Sequence, residues 1–455
     1  MKVKFYTLGC KVNQYETQAL AEDFRSYGCE TTQGKADLYV INTCSVTAKA
    51  DSKSRELILR AKKENSKAQI AVCGCLAQLN KDYVAKLGVD WIVPQAEKYN
   101  LANIILGTDK KTNSTGIIGQ SAERSGASPK GTGSTGKTDP TVSTGLTGQT
   151  GSTVSSNIWS LKISGFFNQR AFLKIQDGCD NFCSFCKVPH IRGRSISRPY
   201  DEVIEEARRL ASKHREIVLC GVNLALYGKD LLPRSSLGGL TREILKIPDL
   251  GRLRLTSLEP GLVTDGLLSL FRHPKLCPHL HLPFQSGDDR VLNAMNKKET
   301  VALYENLVNA ARVVDSDIAI TCDILIGFPA EGDKEFRNTV EFIKRVKPMR
   351  THIFTFSPRE KTAYEKTVVK NRDELKKRFT VLNGLCRNLA DEYYKKFIGK
   401  ELAMVAEETD GGYTCGYTQN YIKVYTKAKV ELGKIYPVTI EEIKKEKVFG
   451  SISKT

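Results

Sequence analysis

Three cysteines within eight residues, Cys179, Cys183 and Cys186, follow directly on the apolar run AFLKIQ at 171–176. Thiolates spaced C-x3-C-x2-C on one short loop grip three irons of a 4Fe–4S cluster and leave the fourth iron open to a substrate. A structural zinc site wants four ligands, typically as two CxxC-type pairs. No fourth cysteine or matching histidine pair lies near the triplet, and His190 alone does not complete one. The chain therefore needs a scaffold that presents an open metal cluster at the end of a strand.

The rest of the sequence supplies one. Apolar strand-like runs recur at 216–220, 252–257, 279–284, 318–326 and 351–356, with helical stretches such as 201–213 and 333–347 between them. Counted with 171–176, these six β/α units predict a partial TIM-type barrel whose site lies at the carboxyl ends of its strands. The first hundred residues also alternate. Runs at 2–7, 37–42 and 69–73 read as strands, and 13–27, 48–64 and 78–88 as helices with apolar residues at helical spacing. That alternation predicts a parallel sheet covered by helices. Residues 399–455, short-stranded and studded with Gly and Tyr, fit a small barrel of about five strands. The expected chain is thus α/β, divided into 1–106, 107–160, 161–398 and 399–455.

Residues 107–160 are dominated by Ser, Thr and Gly and are expected to be a flexible linker. Within them Gly131-x4-Gly136-Lys137-Thr138 satisfies the phosphate-loop pattern letter for letter. The motif requires a buried strand before it and a helix after it. A polar run precedes it here and Asp139-Pro140 follows, so it reads as a chance match. No run of about 18 apolar residues is present, which excludes a membrane-spanning helix. The start, MKVKFYTLGC, lacks the apolar stretch of a signal peptide, so a cytosolic protein is expected. Thirteen cysteines without an export signal are read as metal ligands or small buried hydrophobes rather than as disulfides.

Each early strand ends in a cysteine-bearing turn: Cys10 in TLGCKVN, Cys44 in INTCSVT and Cys75 in VCGCLAQ. Open α/β sheets bind ligands at their carboxyl ends, so these three cysteines are expected to meet at one rim. Cys73 competes with Cys75, but the two-residue period of a strand turns it into the sheet. Cys29, Cys220, Cys277, Cys322, Cys386 and Cys415 are scattered and read as structural.

Taken together, LGCKVNQYE, NTCSVT, GCLAQ, QDGCDNFCSFC, EIVLCGVNL, SLEP, HLHLPFQSGDDRVL, DILIGFP and FSPR resemble the radical S-adenosylmethionine methylthiotransferases, most closely the MtaB-type branch. The likeness touches every segment except the linker. Two departures stand out: Lys187 takes a place usually held by an aliphatic residue, and the linker is longer than usual.

The resemblance implies two 4Fe–4S clusters and S-adenosylmethionine as cofactors. Cys179, Cys183 and Cys186 would hold the cluster that chelates S-adenosylmethionine and cleaves it to a 5′-deoxyadenosyl radical. Cys10, Cys44 and Cys75 would hold the second cluster, whose open iron can carry the sulfur to be transferred; the family's GC-x-A-Q motif falls on Cys75. Phe185 becomes an adenine contact, and Gly221, Val222 and Asn223 approach the cofactor at the end of the second barrel strand. Glu259, Gln285 and Asp323 are expected at the ends of later strands, where each is equally open to a capping role. The implied activity is addition of a methylthio group to C2 of N6-threonylcarbamoyladenosine at position 37 of tRNA, 3′ of the anticodon. Isopentenyladenosine in tRNA and an aspartate of a ribosomal protein remain alternative acceptors. A metal-bound RNA-binding protein without catalysis is the rival of another class, and a mere binder needs no open-iron site. The reaction also implies an electron donor such as a flavodoxin or ferredoxin.

The formal net charge is +18, of which residues 161–398 carry +11 and residues 399–455 only +1. A basic surface concentrates polyanions. Arg192, Arg194 and Arg198, just past the central triplet, are expected to meet a phosphate of the bound RNA or to be ordinary exposed arginines. In GYTQNYIKVYTKAKV, Tyr421, Lys423 and Tyr425 are expected to share one strand face that stacks on bases and pairs with phosphate. That region resembles a TRAM domain, an RNA-binding module.

Overall fold

The computed structural model describes residues 1–107, 158–369 and 371–452. The expected linker, with the phosphate-loop match at 131–138, lies outside the described residues apart from its two ends. At its far end Trp159 is buried, 9% exposed, with the Lys174 ammonium 5.0 Å from its ring centroid.

The first unit is a five-stranded, wholly parallel sheet. Its strands are β1 (Lys2–Thr7), β2 (Glu30–Thr31), β3 (Leu38–Thr43), β4 (Gln69–Gly74) and β5 (Trp91–Val93), in the order β2-β1-β3-β4-β5. Central β3 is buried at all six positions, as a parallel strand covered on both faces must be. The covering helices are α1 (Lys11–Ser26), α2 (Ala48–Glu64), α3 (Cys75–Leu79), α4 (Lys81–Lys86) and α5 (Leu101–Leu106). The single helix expected at 78–88 is two short ones. Asn80 interrupts it, its side chain accepting from the Tyr83 amide to cap α4.

The central unit contains β6 (Arg170–Lys174), β7 (Gln176–Asp177), β8 (Ile196–Ser197), β9 (Glu216–Cys220), β10 (Arg252–Leu255), β11 (His279–Gln285), β12 (Ala319–Ile326) and β13 (Arg350–Thr355). Two three-stranded parallel sheets, β10-β9-β6 and β11-β12-β13, are joined by parallel bridges at Leu253–Leu276 and Ser257–His281. The result is the expected arc of six strands. Apolar residues of the strands and outer helices, including Leu219, Leu282, Tyr304 and Phe342, form its continuous core. A 24-residue helix, Arg372–Lys395, closes the unit.

The last unit is a closed five-stranded barrel of β14 (Glu401–Asp410), β15 (Tyr413–Thr418), β16 (Lys423–Thr426), β17 (Ile435–Lys444) and β18 (Lys447–Ile452). It docks under the amino ends of the central strands. Arg252 donates to the carbonyls of Ala403 and Tyr417, each at 2.7 Å, and Arg254 to those of Thr418 and Gln419 at 3.0 Å. Fully buried Glu216 accepts from both arginines, whose charges hold its carboxyl well below the usual carboxylate range despite burial. Among the described residues no helix is long and apolar enough to cross a membrane.

Candidate active site

Strands β1, β3 and β4 are neighbours in the sheet, so the turns after them share one rim. Cys10, Cys44 and Cys75 stand there, close enough for the charges of Cys75 and Cys10 to act on the Cys44 thiol. Gly9 makes the approach possible. Its φ is +101°, and a Cβ there would lie 2.8 Å from Cys44 Cβ. Cys73 lies within β4, fully buried among Val3, Leu20 and Phe24, and burial pushes its thiol to about 12.

The central triplet occupies the loop after β7. Gly178, at φ +69°, starts it; a Cβ there would fall 1.9 Å from the Arg194 carbonyl oxygen. The Cys179 amide then donates to the Gly193 carbonyl at 3.1 Å, which closes the loop. Burial raises the Cys183 thiol to about 12 and Cys186 to about 11, and Lys297 opposes both shifts. Cys44 is raised to about 11 for the same reason. Such thiols hold their protons until a metal displaces them.

The expected cofactor residues surround this loop. Phe185 is partly buried against Phe328. Gly221 leaves no room for a side chain: a Cβ would come within 2.8 Å of Gln176 Oε1. That oxygen accepts from the Asn223 amide at 2.9 Å, while Asn223 Nδ2 lies 4.0 Å from Cys179 Sγ. Asn223 Oδ1 is buried without a hydrogen-bond partner among the described residues, which suits a missing polar ligand. Val222 lies between these two, half-buried. Glu259 accepts from Lys297 and from Asn181, and burial, reinforced by Glu299 and opposed by Lys297, raises it to about 7. Gln285 ends β11 at a register shift, with φ +67°. Asp323 is not at a strand end. It stands in the middle of β12, facing the inside of the arc, where Oδ2 lies 3.2 Å from His281 Nε2. The donor set and the orphaned Asn223 oxygen fit two iron–sulfur clusters and S-adenosylmethionine.

Two of the three arginines expected to meet RNA are internal ties. Arg192 donates to Asp177 at 2.9 Å, to Glu16 at 3.0 Å and to Asn13 Oδ1 at 2.6 Å, its side chain 4% exposed. Lys98, Lys174 and Tyr99 converge on the same Glu16. Burial disfavours every charge in this network; the mutual attraction of Arg192, Lys174 and Lys98 with Glu16 and Asp177 outweighs it and holds both carboxyls low. Arg198 is fully buried, donating to Glu206 at 2.9 Å and to Tyr15 at 3.2 Å. Only Arg194 is open, its side chain 73% exposed above Phe182. Glu16, Asp177 and Gln176 escaped the sequence reading because nothing in their spacing distinguishes a buried polar group from a surface one.

Tyr421 parts from the other two residues of the C-terminal trio. Tyr421 precedes β16 at φ +67° and stacks on His279 at 4.3 Å and on Tyr417 at 4.7 Å, inside the joint between barrel and arc. Lys423 is half-buried and pairs with Glu408 at 2.8 Å. Tyr425 is 9% exposed and packs on Phe449, with Lys447 and Lys423 over its ring at 4.5 and 5.4 Å. The two-residue period holds for Lys423 and Tyr425 against Val424 and fails for Tyr421, because β16 begins only at Lys423.

Residues 2–93 match the family model described as "Uncharacterized protein family UPF0004", and residues 173–343 match the Radical SAM superfamily. The threonylcarbamoyladenosine tRNA methylthiotransferase MtaB of Thermotoga maritima is 34% identical, over 98% of this chain and 96% of its own. This chain belongs to the MtaB-type radical S-adenosylmethionine methylthiotransferase family. The Bacillus subtilis MtaB is likewise 34% identical, covering 96% of this chain and 93% of its own. A tRNA-2-methylthio-N(6)-dimethylallyladenosine synthase of Acetivibrio thermocellus, 31% identical, covers 99% of this chain and 91% of its own. Among solved structures, the radical S-adenosylmethionine methyltransferase TsrM of Kitasatospora setae overlays with a TM-score of 0.54 at 14% identity, over 91% of this chain and 80% of its own. It shares the fold. As a methylthiotransferase of this family the chain uses 4Fe–4S clusters and S-adenosylmethionine.

Proposed function

We propose that this enzyme adds a methylthio group to C2 of N6-threonylcarbamoyladenosine at position 37 of tRNA. The observation that carries the reading is that two cysteine triplets, from two separate folding units, are tied to one another at one end of the central arc. Cys179, Cys183 and Cys186 hold one 4Fe–4S cluster, and Cys10, Cys44 and Cys75 the other. When bound, the first would supply the electron that breaks the C5′–S bond of S-adenosylmethionine, releasing methionine and a hydrogen-abstracting 5′-deoxyadenosyl radical, and the second would supply a site for the transferred sulfur.

The chain's own residues orient and shield. Asn223 and the bare backbone of Gly221 receive the polar end of S-adenosylmethionine, Phe185 and Val222 its adenosine, and Gln285 and the Lys297–Glu259 pair line the same end. The Glu16–Arg192–Asp177 network locks helix α1, which starts beside Cys10, to the helix that follows Cys186, so the two sites keep a fixed separation. Arg194, Lys423 and Lys447 offer charge to phosphate, and Tyr425 backs the two lysines. A flavodoxin- or ferredoxin-type donor supplies electrons, and the enzyme works in the cytosol with tRNA.

Nucleoside mass spectrometry of tRNA from cells with and without the gene tests the reading. The methylthiolated threonylcarbamoyl nucleoside should vanish with the gene and return with it. Loss of the methylthiolated isopentenyl nucleoside instead would move the acceptor.

A further inference from the structure

The inner face of the arc, between the cysteine sites and the docked barrel, carries a tier of polar side chains that cofactor binding leaves unused. Paired residues on parallel strands face the same way. His281 registers with Thr321, Thr321 with Arg350, and Asp323 with His352. Nitrogens of His281 and His352 and an oxygen of Asp323 lie within 4.8 Å of one another. Thr321 Oγ1 sits 2.9 Å from both His281 Nδ1 and His279 Nε2.

Two cations overlook this tier. Arg350, at the start of β13, lies 5.4 Å from the Tyr421 ring centroid and 6.0 Å from that of Tyr417. Lys11 enters from the N-terminal unit, at the first position of α1 beside Cys10. Its charge reaches His279, His352 and Tyr421. Among the described residues neither Lys11 nor Arg350 has a carboxylate within ion-pair distance. The nearby Arg170, Arg252 and Arg254 already share Glu216 and Glu407. The excess is felt locally: burial pushes the Tyr421 hydroxyl up, yet the charges of Lys11, Arg170, Arg254 and Arg350 hold it below its ordinary value.

We propose that Lys11 and Arg350 receive the carboxylate of the N6 side chain of the acceptor nucleotide, with Thr321, His281 and Asp323 taking its hydroxyl and N–H groups. The proposal rests on the threonylcarbamoyl reading and deepens it. A threonylcarbamoyl group carries one carboxylate, one hydroxyl and a urea-type linkage, which match an unpaired cation pair, a hydroxyl and a His–Asp pair. The apolar isopentenyl group would leave the two cations desolvated without an anion. A site built to bond a polar group rejects the analogue lacking it far more strongly than an apolar pocket rejects a polar one. The tier thus serves as the specificity filter between two acceptors that share the same C2 chemistry.

The test uses the full, anaerobically reconstituted chain and one tRNA prepared with adenosine, N6-threonylcarbamoyladenosine or N6-isopentenyladenosine at position 37. Affinity is measured for each tRNA with the wild type, Arg350→Gln, Arg350→Lys and Lys11→Gln, and iron content is checked for each protein. The wild type should bind the threonylcarbamoyl form about 10–100-fold more tightly than the isopentenyl form, the worth of a charge-assisted contact. Arg350→Gln should collapse most of that ratio, Arg350→Lys should restore part of it, and Lys11→Gln should reduce it. A ratio unchanged in Arg350→Gln and Lys11→Gln overturns the proposal. So does an equal loss for all three tRNAs, which would place the two cations on backbone phosphate. If Lys11→Gln loses iron because it follows Cys10, the Arg350 pair decides. A wild type with no preference for the threonylcarbamoyl form instead defeats the functional reading beneath it.

Discussion

Lys187 Nζ donates to Ser45 Oγ at 2.9 Å, so the residue after Cys186 is bonded to the residue after Cys44. Ser45 also bonds Asp51, and Arg359 donates to the Ser45 carbonyl at 2.8 Å and to the Asp51 carboxylate. These residues line a pocket of about 250 Å³ between the first unit and the central arc. Lys187 thus adds a polar clamp between the two cysteine sites. Burial, reinforced by Arg359, lowers its ammonium to about 8.

Because that ammonium is desolvated, its removal should cost little. Lys187→Met is expected to keep the melting temperature of the wild type to within a few degrees. Arg359→Ala strips a partner from Asp51 and should destabilise by about 1–3 kcal/mol. Anaerobic thermal melts of the two variants check the ranking; a larger loss for Lys187→Met would make the lysine the principal tie.

Iron content separates the cysteines. Reconstituted wild type should hold about eight irons per chain, two clusters of four. Alanine at Cys179, Cys183 and Cys186 together should halve this, and so should alanine at Cys10, Cys44 and Cys75. Cys73→Ala should retain all of it, since its thiol lies in the core of the first unit. Loss of one cluster in Cys73→Ala, or zinc in place of iron, would defeat the assignment.

Glu216 neutralises the arginines that hold the C-terminal barrel. Glu216→Gln leaves Arg252 and Arg254 buried without their carboxylate and should cost about 3–5 kcal/mol. Because both arginines also hold barrel carbonyls, limited proteolysis near residues 396–401 should speed up in parallel. Destabilisation without faster cleavage would mean that the barrel docks through its apolar contacts alone.

Acid should weaken the joint through His279. Burial, with the charges of Arg254, His281, Lys11 and Arg350, holds its imidazole well below 6.5, so the folded chain keeps it neutral. The unfolded chain gains that proton as pH falls below about 6.5, so stability present above that value is lost on acidification. His279→Asn should flatten the fall in denaturation midpoint between about pH 7 and 5.5 relative to the wild type; an unchanged slope would assign the effect to other groups.

On the RNA side, Lys423→Ala and Lys447→Ala should each flatten the salt dependence of tRNA binding by about one phosphate contact. Tyr421→Ala should instead lower the melting temperature, because its ring is packed on His279 within the joint. If Tyr421→Ala weakens tRNA binding with no change in melting, its ring meets a base.

What the sequence by itself determined is local and periodic. The central cysteine triplet, the alternation of strands and helices and the five-stranded barrel were legible, because a strand shows its period within five or six residues and the triplet lies within eight; Cys10, Cys44 and Cys75 were read from the strand ends they follow. What only the tertiary structure decided is the fate of charge. Arg192, Arg194 and Arg198 follow closely on the triplet, yet two are buried against Glu16, Asp177 and Glu206, and one is open. Their partners lie up to 183 residues away, on elements whose approach no local pattern encodes. For the same reason Tyr421 became part of a joint and Asp323 moved from rim to interior. A carboxylate's surroundings are set by which strands become neighbours, and that is settled only when the core closes.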